Sequence, residues 1–139
     1  MDALNTDVPL MKIADAQRIL QAAKKKAQDL GVLCSICIVD QRGDPMTMLR
    51  MNGARWEAGD LARGKAFAAA IQHETSAELQ VGEDRPLLRG LMMQQGGKMT
   101  FSPGGVPIWR DEEVIGGVGC HGGGDEKDEE AAKAGADAL

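Results

Sequence analysis

Glycine placement is the tightest constraint on how this chain can fold. Of 139 residues 18 are glycine, and most of these lie after residue 89. Gly104-Gly105 precedes Val106-Pro107-Ile108. Further on, Val114-Ile115-Gly116-Gly117-Val118-Gly119-Cys120-His121 runs into Gly122-Gly123-Gly124. Both stretches read as strands, Val106–Arg110 and Val114–Cys120, around the turn Asp111-Glu112, and the triple glycine breaks the second. Gly104-Gly105 shapes a tight approach to the first strand, with glycine supplying positive φ and Pro107 suiting an edge position. Such a loop also walls a pocket.

A face of small residues in the middle of the chain complements these strands. Asp60 is placed to cap a helix reaching about Gln80. At about 100° per residue, Ala62, Ala66, Ala69 and His73 fall within about 40° of one another, so this helix can pack close to a sheet. Lys65 lies on its flank. An earlier helix starts at Ile13, with Ile13, Ala16, Ile19, Leu20, Ala23, Ala27 and Leu30 on one face and Gly31 as its stop. Leu33–Val39 and Met46–Met51 read as a hairpin around Asp40–Asp44, with Pro45 at its mouth. A short helix over Arg85–Gln95, a short strand over Lys98–Phe101 and a final helix over Asp125–Leu139 complete the order. Helices and hairpins segregate, which predicts an α+β domain with one mainly antiparallel sheet. Residues 1–10 read as a flexible arm and 11–139 as a single domain.

Composition removes several functions. The formal net charge is -5 and only 3% of residues are aromatic, so phosphate neutralisation and base stacking both lack their residues; no nucleic-acid partner is expected. No run of about 18 apolar residues exists, so no membrane span is expected. Three cysteines are too few, and odd in number, for a disulfide scaffold. The first residues show no basic segment followed by an apolar one, and a cytoplasmic location is the expectation.

Four stretches, taken in order, resemble the GlcG/HbpS-like haem-binding family, which includes the C-terminal domain of PduO-type proteins. They are the opening helix ending in Ala27 and Gly31; Ile38-Val39-Asp40-x-x-Gly43 followed by Leu49-Arg50-Met51; Lys65-Ala66; and Gly104–Ile108 with Val114–Gly119 and Asp128-x-x-x-Ala132-Lys133-Ala134-Gly135. The resemblance spans Lys12 to Leu139. It implies a profilin/PAS-like sandwich with a five-stranded, mainly antiparallel sheet flanked by helices. It also implies homo-oligomers and haem as cofactor, serving storage, sensing or slow degradation. Two positions depart from the family's usual pattern. Asn52 follows Arg50-Met51 where the family has Asp, and Gly119-Cys120-His121-Gly122 stands where it has Gly-Val-Ser-Gly.

The candidate site residues follow. His121 replaces that serine beside a glycine loop; imidazole is a good haem or metal ligand, and a solvated loop histidine is the plainer account. His73 reads as a core histidine bonded to backbone, or as the second or sole axial ligand. Lys65 and Arg50 suit an anion such as a haem propionate or a carboxylate, against snorkelling for Lys65 and cross-strand pairing for Arg50. Gly104, Gly105 and Pro107 would wall the cofactor pocket together with Gly119–Gly124. Asp128, which matches the family pattern, would cap the last helix or orient the glycine loop. Gly117-x-Gly119-x-x-Gly122 fits a dinucleotide fingerprint by letter, but the acids that open the following helix would repel a pyrophosphate. Cys34 and Cys37 would point to opposite faces of a strand as buried structural thiols. Haem binding with His121 as leading axial ligand is one expectation. The other is a small-molecule catabolic enzyme or binding protein for a small hydroxy or carboxylic acid, with His121 as general base. Whether the chain is an enzyme stays open.

Overall fold

A computed structural model describes residues 10–81 and 86–139. The expected arm over residues 1–10 falls almost wholly outside the described residues. The element order is α1 Ile13–Asp29, β1 Ser35–Asp40, β2 Pro45–Arg50, α2 Ala58–Gln72, α3 Ser76–Val81, α4 Pro86–Gln94, β3 Gly105–Arg110, β4 Glu113–His121 and α5 Asp125–Ala136. The strands form one antiparallel sheet in the order β2-β1-β4-β3. The α+β class and antiparallel sheet match the sequence reading, and the strand count does not: among the described residues there are four strands rather than five. Pro45 opens edge strand β2 and Pro107 sits in edge strand β3, where a missing N–H leaves the ladder intact.

The missing strand has a physical cause. Residues 98–101 do not join the sheet but lie along the outer side of α2. Thr100 N–H donates to the Gly64 carbonyl at 3.1 Å. Met99 and Phe101 bury against Ala68, Leu79 and Leu88. The alternation that reads as a strand is real, but a helix receives it.

Helix α2 is therefore covered twice, by these groups outside and by the sheet inside. On the sheet side Ala62, Ala66 and Ala70 pack on Cys37 and Val39. Gly117 and Gly119 of β4 lie beneath the same helix. A Cβ on Gly119 would overlap the Ala62 carbonyl oxygen and stand 2.7 Å from Ala66 N. Alanine above glycine lets helix and strand backbones nearly touch. The other sheet face carries the larger core, where Ile19, Leu20 and Ala23 of α1 and Ala131 and Ala132 of α5 meet Ile36, Ile38 and Val118.

The middle helix is shorter than expected. It ends at Gln72, and His73 takes a left-handed conformation at φ 60° as its C-cap. A new helix then starts on its own capping box. Glu78 N–H donates to Thr75 Oγ1 at 3.1 Å, and Thr75 N–H donates back to Glu78 Oε1 at 3.3 Å. At the other end Glu57, not Asp60, is the N-cap. His73 consequently lies off the alanine face, and it is exposed rather than a core histidine.

Candidate functional site

Lys65 leaves α2 toward the end of β4 and is fully buried. Snorkelling is excluded. Its ammonium has three donors, and three acceptors meet it: Cys120 O at 3.2 Å, His121 Nδ1 at 2.8 Å and Asp128 Oδ2 at 3.5 Å. Asp128, on the first turn of α5, is equally buried. Its carboxylate also accepts from Gly123 N at 2.7 Å and Gly122 N at 3.3 Å. Of the two roles expected for Asp128, the structure shows the second: its carboxylate holds the glycine loop, while Gly124 is the N-cap of α5 and no side chain caps that end.

The glycines around this network enclose it. A Cβ on Gly104, whose φ is 132°, would reach 2.9 Å from Lys65 Nζ, and one on Gly105 would meet Ser76 Oγ at 2.8 Å. Gly105 N–H donates to that hydroxyl at 2.7 Å, and the hydroxyl donates to Ser102 O at 2.5 Å. So Gly104 and Gly105 close over Lys65 instead of walling an open pocket. Buried Ser76 was missed in the sequence, although Thr75-Ser76-Ala77-Glu78 carries a capping signature that should have broken the long helix there.

Burial holds the Lys65 ammonium below the usual lysine range, with the Asp128 carboxylate opposing the shift. Burial and then the Lys65 charge lower the His121 pKa, so its imidazole is neutral at neutral pH. An ammonium can only donate, so His121 Nδ1 must accept and the ring proton sits on Nε2. The imidazole is 26% exposed. It presents an N–H donor outward, which suits a carboxylate or hydroxyl oxygen. The same tautomer has no free lone pair for iron, and none for a general base.

Structure separates the other candidates from this network. In the sheet register Arg50 pairs with Ser35, which pairs with His121, so Arg50 sits two strands away. It is exposed and lines a groove of about 540 Å³ with Leu33, Leu49 and Met51. His73 and Pro107 belong to another groove, of about 800 Å³, which Val106, Trp109, Lys133 and Ala136 also line. There the His73 ring meets Trp109 edge-on, with centroids 6.2 Å apart. Glu74, Glu78, Glu126, Glu129 and Glu130 add an acidic border.

A porphyrin needs flat apolar walls, an imidazole nitrogen facing open space and a cation for a propionate. Val106, Pro107, Trp109 and Ala136 supply the walls of the larger groove, His73 the imidazole and Lys133 the cation. Buried Lys65 has no room for a propionate. Among the described residues no group of three or more His, Cys, Asp or Glu is arranged to hold a metal ion. No described helix is long and apolar enough to cross a membrane.

Comparison with known proteins agrees with the fold. The family described as haem degrading protein HbpS-like matches residues 11–137. Corrinoid adenosyltransferase PduO of Salmonella typhimurium is 34% identical over 120 residues, which cover 86% of this chain and 36% of that protein. The chain thus spans little more than a third of that relative. The solved PduOC:heme complex superposes with a TM-score of 0.84 at 32% identity, covering 94% of this chain and 96% of the other. Klebsiella pneumoniae protein ORFY gives 0.88 at 28% identity, covering 99% and 95%. With 127 consecutive residues (11 to 137 inclusive) inside one family match, the chain belongs to the HbpS-like family.

Proposed function

We propose that this chain binds haem in the groove lined by His73 and Trp109, with His73 as axial ligand and Lys133 as the partner of a propionate. The supporting observation is the superposition on a haem complex at 32% identity over nearly the full length of both chains, together with a groove that has suitable walls. Bound haem would supply an iron centre able to cycle between oxidation states. The chain's own residues bind it and set its exposure. Storage, sensing and slow degradation all begin from that binding, and self-association into homo-oligomers accompanies it in this reading. Hemin titration followed at the Soret band tests it. Saturation at one haem per chain, with an altered spectrum in His73→Ala and an unaltered one in His121→Ala, is the expected result. Loss of the wild-type spectrum in His121→Ala alone would overturn the assignment of His73.

A second reading rests on the Lys65–His121–Asp128 network. The outward Nε2–H of His121 suits the oxygen of a small hydroxy or carboxylic acid, as a hydrogen-bond donor rather than a base. Small carboxylates should then raise the melting temperature of the wild type and leave that of His121→Phe unchanged. Equal shifts in the two proteins would exclude it.

A further inference from the structure

Three sulfur atoms converge on the sheet face opposite His121. They come from three separate segments: Cys34 just before β1, Met51 just after β2, and Cys120 within β4. Cys34 Sγ lies 3.8 Å from Met51 Sδ. Met51 N–H donates to Cys34 O at 3.1 Å, which ties these two segments together. Cys120 pairs with Ile36 across the sheet, so Cys34, two residues earlier, is its diagonal neighbour on the same face. The two thiols are within hydrogen-bonding reach of one another. Both cysteines are fully buried in the larger core. Met51 is only partly buried, and it lines the 540 Å³ groove with Leu33 and Leu49, so a route from solvent reaches the cluster.

We propose that Cys34, Cys120 and Met51 form a three-sulfur site for cuprous copper. Thiolate and thioether are soft ligands, and a set made only of them selects Cu(I) over the harder divalent ions. Geometry agrees. With metal–sulfur bonds of about 2.3 Å, as in zinc thiolates, a trigonal ion holds its sulfurs about 4.0 Å apart. The Cys34 Sγ–Met51 Sδ separation of 3.8 Å is close to that, and the Cys120 thiol is within hydrogen-bonding reach of Cys34. Zinc would need a fourth ligand. The same core offers Ile36, Ala27 and Ala131 instead, while the nearby Asp128 and His121 are engaged by Lys65. Binding replaces two S–H bonds by two S–Cu bonds and releases two protons to solvent, with no change of oxidation state. The third cysteine is not involved. Cys37 faces α2 on the other side of the sheet, and burial pushes its thiol up to about 12.

The test is anaerobic titration of the purified full chain with cuprous ion, delivered as its acetonitrile complex against a chromogenic Cu(I) chelator. One ion per chain should be retained, and copper-edge X-ray absorption should show an all-sulfur shell. Cys34→Ser and Cys120→Ser should each weaken retention by more than about 100-fold, Met51→Leu by about tenfold, and Cys37→Ser not at all. Met51→Leu conserves shape and hydrophobicity, so it tests the site even where a serine variant folds poorly. No retained copper, a nitrogen ligand in the absorption spectrum, or a Cys37→Ser loss equal to that of Cys34→Ser would each overturn the proposal. Haem binding plays no part in either outcome.

Discussion

Replacing Gly119 by alanine tests the contact on which the fold is built. The added Cβ would overlap the Ala62 carbonyl oxygen and stand 2.7 Å from Ala66 N and 3.0 Å from Ala62 C. Ordinary contact begins near 3.4 Å, so the shortfall at Ala66 N alone is about 0.7 Å. The obstructing atoms are helix backbone, which cannot rotate away as a side-chain tip does. Helix α2 must lift by several tenths of an ångström, and a gap of that size forfeits a quarter to a half of each dispersion contact it opens. The contacts at risk join Ala62, Ala66 and Ala70 to Cys37 and Val39. Overpacking typically costs about 1–3 kcal/mol, and this geometry places Gly119→Ala near 3. In urea unfolding, with a slope of about 1.5 kcal/mol per molar, the midpoint should fall by about 2 M. Gly90, inside α4 with nothing near its Cβ position, is the control. Gly90→Ala should gain about 0.5–1 kcal/mol from helix propensity alone. A loss below about 1 kcal/mol for Gly119→Ala would refute the close-approach argument.

Other consequences can be measured on the same scale. Lys65→Met removes one member of a buried ion pair and leaves Asp128 without its cation; unfolding should show a loss of about 3–5 kcal/mol, and adding Asp128→Asn should return part of it. A full loss that the double variant does not relieve would mean that packing, not charge, dominates there. Asp15 accepts from Lys12 N, Arg18 and Arg110, and these bonds hold its carboxyl below the ordinary 3.8. Its folded pKa is lowered, so its stabilisation is complete above the unfolded value near 3.9 and drains away as pH falls through the folded one. Wild type should therefore exceed Asp15→Asn in stability at pH 7, and the difference should shrink in acid below about pH 4. A gap constant with pH would contradict this.

What could be read from the chain before its structure depended on how local the cause was. The face of α1 from Ala16 to Ala27, the stop at Gly31, the hairpin around Asp40–Asp44 and the tight fit of the alanine helix all follow from neighbours in sequence; Ile13, read onto the same face, is exposed at the helix start. Lys98–Phe101 could not be placed that way. Its alternation is satisfied by a sheet or by the back of a helix, and only the packing on Gly64 decides. The break at His73 was signalled by Thr75-x-x-Glu78, but the alanine periodicity ran through it and outweighed the cap. Lys65, His121 and Asp128 were each identifiable, yet their meeting was not, because it needs α2, the end of β4 and the start of α5 to converge. The tautomer that turns His121 away from iron depends on that meeting. The sulfur cluster has a different long-range cause: whether Cys120 faces Cys34 is fixed by the pairing of Ser35 with His121, a register that no local spacing encodes.

Iron anomalous scattering from crystals of the hemin-saturated protein locates the haem. One iron peak per chain is expected in the groove between His73 and Trp109, at bonding distance from the His73 ring. An iron peak beside His121, or one outside that groove altogether, would contradict this placement.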